Sequence, residues 1–521
     1  MTRVGIAARP REYLITAILA CALAVGCIMV GETKIAYQVA LFVGVTGVIA
    51  LATVPNPRVV LVILWVFLHP LSIEKVFPIG PPPHPNFPPP TIVVSASDIA
   101  LFLLVGRIFF EWFVHRKRPC NWPTAATPYL ALCCWVVAMF FTAPSIGGIL
   151  QIMHWWKMLA FLLVLPAAIR TRYELYLVLA AVGIAVAAQS AVVWTSWRLH
   201  KPISFITLFS PSSLPLIGFS SGGDSGLHIR ASGTFGQVNQ QAGLHVFFTL
   251  PLLGLVFVRN SLWRSITVVV IMMSMSAILI TFSRTAWLAG IGAFCAIIAC
   301  AILAKRMTRR TWLMLGLCAG VSLCVLGVFI GPVTDRIFKG DEGASSSRLR
   351  MVMTSFQLSA RHPLLGTGPG NFVEAILEGR DLNLQAPTWL APGQPRVYGA
   401  IEGIESYNGV VNGKQIIVPL QVHNKFLLVL VELGIVGLLL FVWYQWKLIR
   451  TAWACLRVSD PSLFWAAAGL LGATVATQIY FMLELAYDDK SVLILIWANA
   501  LLLTLHQIIL RERCERSEVA P

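Results

Sequence analysis

The sequence predicts an all-α polytopic membrane protein with about 12–14 transmembrane helices, cytoplasmic termini and one large, partly helical outer loop over about 332–422. Three observations predict this class. Of the 521 residues, 57% are hydrophobic and only 12% are charged, whereas about 25% are charged in soluble proteins. Apolar runs long enough to cross a bilayer recur along the chain. Basic residues collect in alternate connections between those runs.

Fourteen apolar runs are candidate spans. They lie near 13–30, 36–54, 58–73, 96–114, 127–144, 148–168, 174–196, 241–258, 264–282, 285–304, 311–331, 423–446, 461–484 and 490–509. The first follows Arg3, Arg9 and Arg11 and is predicted to be an uncleaved signal anchor.

The distribution of basic residues sets the orientation. With the N-terminus in the cytoplasm, the cytoplasmic segments carry twenty-one Lys and Arg residues and the short outer connections carry four. A missed helix would reverse every later loop, so the asymmetry supports the number of spans as well. It also accounts for the net charge of +16 without nucleic acid, because no basic block is interleaved with exposed aromatic residues. The expected partner is the lipid bilayer.

The cysteines agree with this topology. All eleven fall in predicted spans or cytoplasmic segments, so we expect no disulfides in the outer loops. No Cys/His spacing typical of a metal site occurs, and no metal or other cofactor is expected.

Three outer segments are long. Residues 74–95 are proline-rich and predict a stiff, extended cover. Residues 198–240 form the second segment. The third, 332–422, is longer than a structureless loop usually is and is expected to contain its own helix at 345–360, ended by the turn HPLLGTGPGNF.

Ionisable residues from separate parts of the chain map to the outer face. His423 opens the span at 423–446, and an imidazole can accept a proton near neutral pH. Arg284 stands between two spans with almost no loop, where its planar fork of donors suits phosphate. Arg230 precedes a glycine- and amide-rich turn at a helix start, a setting that suits an anion. The alternatives are a structural histidine, an arginine anchored at the membrane interface and an ordinary re-entry loop.

Two further cations are candidates for substrate binding. Lys157, near His154, lies in the outer half of its span and either faces a cavity or partner or extends outward past two tryptophans. Arg348 opens the predicted loop helix, where a solvated helical face is the simpler explanation. Glu432, within the span after His423, needs a partner.

The motif HNKFLLVLVELGIVG contains His423-Asn424, nine residues, then Gly434-x-x-Gly437. At about 100° per residue, we expect both glycines on the helix face of His423. Three other blocks precede this motif in the chain, in the order RASGTFGQVNQQAGL, TFSRTAWLA and SSSRLRMVMTSFQLSARHPLLGTGPGNF. Together the four blocks resemble the O-antigen ligase and O-antigen polymerase superfamily (Wzy-C; lipid A-core:surface polymer ligases). The resemblance covers about 230–440, within a single transmembrane domain over 1–521. QVNQ departs from the Asn-Pro-Asn-like turn of relatives, which have about twelve spans.

The resemblance implies a glycosyltransferase of the bacterial inner membrane with its active site facing the periplasm. It would move a glycan from undecaprenyl diphosphate to a hydroxyl of lipid A-core, of a growing glycan chain or of a protein, without a metal and with inversion. His423 would be the general base, and Arg284 and Arg230 would bind the diphosphate. Arg348, Asn424 and Lys157 would bind substrate.

Other functions remain open. A polymerase of O-antigen or exopolysaccharide repeat units is the alternative within the superfamily. A lipid-linked glycan transporter or flippase is the alternative from a different class. It predicts internal repeats and charged residues at mid-membrane on several helices, and the sequence shows neither repeats nor a chain of acidic residues within the spans. A scaffold in an export complex would not need these cations and His423 on one side.

Overall fold

The computed structural model describes most of the chain after residue 55. The described residues are 56–71, 74–79, 91–115, 122–199, 217–219, 228–231, 233–234, 238–258, 260–309, 344–372, 375, 406–411, 414–419, 422–484 and 489–519, with separate residues between 311 and 334. The predicted spans at 13–30 and 36–54 and the prolines of 80–90 lie outside them, and the predicted span at 311–331 is described in part.

Helices dominate the described residues and confirm the all-α, multi-pass class. The helices are α1 (Pro57–Leu71), α2 (Ala96–His115), α3 (Ala126–Phe140), α4 (Ile146–Ala168), α5 (Arg172–Leu199), α6 (Val238–Thr249), α7 (Leu253–Val256), α8 (Ser261–Ile280), α9 (Arg284–Leu303), α10 (Ala344–Arg361), α11 (Lys425–Cys455), α12 (Pro461–Leu483) and α13 (Asp489–Val519). Within the described part, seven are long and apolar enough to cross a membrane. The predicted span at 241–258 is divided between α6, a 3-10 turn at Leu250–Leu252 and α7.

Helices α12 and α13 lie at the centre, since they are the most completely buried of these seven. Helix α12 packs along α9 and α11, and α13 packs against α4. Small residues let α12 approach its neighbours: a Cβ added at Gly469 would lie 2.0 Å from the carbonyl oxygen of Leu250. Asp460 caps α12 by accepting the Leu463 N–H. A short connection joins α11 to α12, so the two run antiparallel and the start of α11 lies beside the end of α12.

Each of the three long segments predicted to be outer contains a hairpin, and the third also contains a helix. Antiparallel hairpins join β1 (Glu74–Pro78) to β2 (Thr91–Ser95), β3 (Ile217–Phe219) to β4 (His228–Arg230) and β5 (Ser406–Val411) to β6 (Lys414–Pro419). Helix α10 confirms the helix predicted at 345–360. The expected turn follows it, with Gly366, Gly368 and Gly370 at positive φ.

Helix α11 is broken at Gly434, where φ is 66° and ψ is −172°. The expectation that His423, Gly434 and Gly437 share one face of a continuous helix is therefore wrong. His423 precedes the helix, whose N-cap is Asn424. The sequence period assumes unbroken 3.6-residue turns, and Gly434 adopts a conformation that other residues rarely tolerate.

The turn at 363–372, after α10, occupies this break. Backbone groups freed at the break have partners outside the helix. Three of these partners belong to the turn: the Ile435 N–H donates to Pro363 O at 2.9 Å, the Thr367 N–H donates to Val431 O at 2.8 Å, and the Gly368 N–H donates to Glu432 O at 3.0 Å. The fourth belongs to α3, where Trp135 Nε1 donates to Leu433 O at 2.9 Å. A Cβ at Gly434 would lie 2.1 Å from Leu364 O. The turn thus replaces the missing helical hydrogen bonds.

The same turn is attached at two more places. The backbone N–H groups of Gly370 and Phe372 interact with the Glu432 carboxylate, which also lies near the Lys425 ammonium. Both charged residues are buried. The expectation that Glu432 needs a partner is therefore met by Lys425 and by these two backbone N–H groups.

Asn371 ties the turn to the connection between α3 and α4. Its Nδ2 donates to Ala143 O at 3.1 Å, and its Oδ1 accepts from Ser145 Oγ at 2.5 Å. We call residues 363–372 with these contacts the clamp, because it fixes the end of α10 to the membrane helices.

Candidate active site

Arg230 is held at the end of β4, where it is buried. Its Nε donates to the carbonyl oxygen of Thr281 at 3.1 Å, and its Nη2 donates to Asn239 Oδ1 at 3.1 Å. Thr281 ends α8 and Asn239 lies in the first turn of α6. Two helix ends therefore fix the orientation of this guanidinium.

A sharp corner joins α8 to α9. Phe282 has φ of 50° and is buried, a backbone conformation that is uncommon for a bulky residue. Ser283 follows as the N-cap of α9, accepting the Ala286 N–H. Arg284 is the first residue of α9, so its backbone is held by the corner and by the helix. The near absence of a loop here agrees with the sequence prediction.

Glu484 joins the arginine region to the histidine region. It ends α12, with its N–H donating to Tyr480 O at 2.8 Å. Its Oε2 accepts from Asn239 Nδ2 at 2.9 Å. Because the Asn239 amide also binds Arg230, the carboxylate and the guanidinium are coupled through one side chain.

His423 lies on the other side of Glu484. Its Nδ1 is 3.8 Å from Glu484 Oε1, and the two side chains are 14% and 13% exposed. This distance is longer than a hydrogen bond but suits an ion pair when the imidazole is protonated. The structure thus brings together Arg230 and His423, two predicted site residues, through Asn239 and Glu484.

Arg284 and Arg348 form a second group. Arg348, on α10, is near enough to Arg284 for the two positive charges to interact. The two groups share a wall, since the Tyr480 hydroxyl contacts both the Ser283 side chain and, at 3.3 Å, the carbonyl oxygen of Asn239. Of the predicted cations, these two lie with like charges close together.

The remaining predicted residues have partners of their own. Lys157 Nζ lies 2.9 Å from Asp98 Oδ1 in an ion pair between α4 and the start of α2. Asn424 caps α11, with its Oδ1 accepting the Leu427 N–H at 3.0 Å. The structure therefore places Lys157 in a charge-balanced pair and gives Asn424 a structural contact beside His423.

Sequence reasoning missed Glu484, Asn239 and Tyr480. Glu484 is an isolated carboxylate at the predicted outer end of a span, and that position was the available signal, since acidic residues near membrane depth are costly without a partner. Asn239 stands in QVNQ, the turn that departs from the family pattern, and nothing in the local sequence indicates its two partners. Among the described residues, no three His, Cys, Asp or Glu side chains are grouped so as to hold a metal ion.

Part of the chain that contains this site matches a known protein family. Residues 267–442 match the model of the O-antigen ligase family, Wzy_C. No curated protein matches the chain. The matched segment includes Arg284, Arg348 and His423 together with the break at Gly434, while Arg230 and Glu484 lie outside it. Residues 267–442 therefore carry an O-antigen ligase domain, and this domain lies within a multi-pass membrane protein.

Proposed function

We propose that the protein is an inner-membrane glycosyltransferase that moves a glycan from undecaprenyl diphosphate to an acceptor hydroxyl at the periplasmic face. The family supports the coarser function, an O-antigen ligase-like or polymerase-type membrane glycosyltransferase. The observation that carries the finer proposal is the linked set of Arg230, Asn239, Glu484 and His423. It joins a cation to a candidate base at the ends of membrane helices.

The cations bind the donor diphosphate. Arg284 and Arg348 carry like charges that are near enough to interact, and an anion bound to both would offset their repulsion and accept charge-assisted hydrogen bonds. Arg230, whose guanidinium is already oriented by Thr281 and Asn239, is the third cation of the proposed diphosphate site. As the bond from the anomeric carbon to the diphosphate oxygen breaks, these arginines stabilise the negative charge on the leaving undecaprenyl diphosphate.

His423 removes the proton from the acceptor hydroxyl as that oxygen attacks the anomeric carbon from the opposite face. The attack forms the new glycosidic bond and inverts the anomeric centre. Glu484, beside Nδ1, orients the ring and stabilises the imidazolium that forms. The proton therefore goes to Nε2, the other ring nitrogen.

Lys157 and Asn424 are proposed to contact sugar hydroxyls. Since Asp98 balances the charge of Lys157, this lysine suits hydrogen bonding to neutral sugar better than binding of diphosphate. The Asn424 carbonyl oxygen caps α11, so its NH₂ group is the part that binds the glycan. The acceptor is lipid A-core for a ligase or a repeat-unit chain for a polymerase.

Replacement of His423 by Ala tests the proposal. We expect glycan transfer by the purified full-length protein, from an undecaprenyl diphosphate-linked donor, to fall by about 10²–10⁴-fold, the usual contribution of a general base. Donor affinity and thermal stability should change little. The matched control is His362→Ala, since His362 is an exposed histidine at the end of α10.

Normal product from the His423→Ala protein would remove the catalytic assignment while leaving the family unaffected. Loss of transfer in both histidine variants would indicate a structural effect of the loop instead. Analysis of the product then separates ligase from polymerase: a ligase joins glycan to lipid A-core, whereas a polymerase lengthens the lipid-linked chain.

A further inference from the structure

A second polar site lies at the opposite ends of the same helices. A cavity of about 310 Å³ is lined by residues from the start of α5, the connection between α11 and α12 and the last turns of α13. Helix α11 begins beside His423 and α12 ends at Glu484, so their other ends, at Cys455 and Pro461, place this cavity far from the candidate active site. Its lining is Arg172, Arg457, Val458, Ser459, Asp460, Ile509, Glu512 and Arg513.

The charges in the cavity are unequal. Both of its carboxylates face a single arginine: Arg172 forms ion pairs with Asp460, at 2.9 Å, and with Glu512. Arg457 and Arg513 are exposed, and no ion pair to a carboxylate is found for either among the described residues. Three guanidiniums against two carboxylates leave the cavity positive, and the excess lies on Arg457 and Arg513.

The wall that carries Arg457 is held in place. Arg306, at the end of α9, donates to the carbonyl oxygens of Val458 at 3.0 Å and Ser459 at 3.2 Å. Its guanidinium also lies 5.3 Å from the centre of the Phe464 ring. The connection between α11 and α12 is therefore fixed before any ligand arrives, which lowers the cost of binding one.

We propose that this cavity binds a phosphate group, held by Arg457 and Arg513. Guanidinium groups present paired donors that match phosphate oxygens. The cavity lies at the end of the helix bundle that the charge distribution assigns to the cytoplasm, where anionic lipid headgroups are concentrated and basic pockets between helices bind them. The phosphate comes either from such a headgroup or from a soluble phosphate.

Native mass spectrometry of the full-length protein distinguishes these sources. Dioleoyl phosphatidylglycerol, dioleoyl phosphatidylcholine and inorganic phosphate are added separately to the protein in detergent. We expect one tight binding event for the anionic lipid, weakened about tenfold or more when Arg457→Ala and Arg513→Ala are combined. The matched control is Arg450→Ala, since Arg450 is exposed on the same end of α11 but does not line the cavity.

Each result decides the proposal. Binding of phosphatidylglycerol that the double variant loses and the control keeps supports the site with a lipid source. The same pattern for inorganic phosphate supports the site with a soluble source. Equal binding by the wild type, the double variant and the control overturns the proposal. If the double variant is poorly folded, Arg457→Gln with Arg513→Gln replaces it, because glutamine removes the charge and keeps a polar side chain. Unchanged phosphate and lipid affinity in that variant also overturns the proposal.

Discussion

Arg230 differs from the pair Arg284 and Arg348 in how its guanidinium is held. Arg230 is buried, and its guanidinium donates to a main-chain carbonyl and to Asn239. Arg284 and Arg348 stand near the starts of two different helices, and their like charges are near enough to interact. The first guanidinium is oriented by the protein itself, whereas the other two are proposed to bind the donor diphosphate. We infer that Arg230 belongs to the framework of the site and that Arg284 and Arg348 respond to the donor.

Among the variants that test this difference between the arginines, Arg284→Ala is expected to have the largest effect. If Arg284 stabilises charge on the departing diphosphate, its loss should reduce the turnover rate by about 10²–10³-fold. Steady-state transfer by the purified protein measures this. Arg361→Ala provides the control, because Arg361 is exposed at the far end of α10 from Arg348. Similar rates for Arg284→Ala and wild type would place the anion elsewhere and end the distinction between the two arginine groups.

Glu484→Gln is expected to have the next largest effect. The amide oxygen of Gln can still accept from Asn239, so Arg230 should keep its orientation, but the negative charge beside His423 Nδ1 is lost. We expect kcat to fall by about 10²-fold with little change in KM for the donor. An equal fall in donor affinity would show that Glu484 acts through the arginine framework instead.

Asn239→Ala tests that framework directly and should cost less. It removes one hydrogen bond to Arg230 and one to Glu484 while leaving every charge in place. Transfer should decrease about tenfold, the scale of hydrogen bonds to charged groups. Asn260→Ala is the comparison, since Asn260 caps the other end of α8 and should affect stability alone. Activity of Asn239→Ala at the wild-type level would show that Arg230 needs no fixed orientation.

The smallest effect on activity is expected for Gly434→Ala, which acts on the clamp that seats α10 and hence Arg348. The new Cβ would meet Leu364 O, and the backbone at Gly434 is unfavourable for alanine. The free energy of unfolding should fall by about 1–3 kcal/mol, seen as a lower melting temperature in detergent. Gly290→Ala should leave it nearly unchanged, because nothing lies within 4 Å of the added atom. A stable Gly434→Ala protein would mean that the turn can leave the break.

The sequence predicted what depends on local pattern. Apolar length located the membrane helices that the structure describes, and capping and periodicity located α10. Arg230 and His423 were predicted on one face because topology alone places them there. The link between them was not predictable, since Asn239 and Glu484 are 245 positions apart. Likewise, helical periodicity predicted that His423 and Gly434 share one face of the helix. The break at Gly434 depends on contacts with the turn at 363–372, which are distant in sequence. The pairing of Lys157 with Asp98 was not predictable for the same reason, since the two residues lie on different helices.

The clamp makes part of the loop after α10 necessary for the hydrogen bonding of α11. Val431, Glu432 and Ile435 depend on the turn for backbone hydrogen bonds, and at membrane depth an unpartnered carbonyl or amide costs several kcal/mol. The turn at 363–372 and α11 are therefore one cooperative unit. A chimera that exchanges acceptor specificity between relatives should exchange the loop between residues 376 and 405 and retain 363–372 with α11. Deletion of the whole loop would leave a helix that cannot complete its own hydrogen bonding.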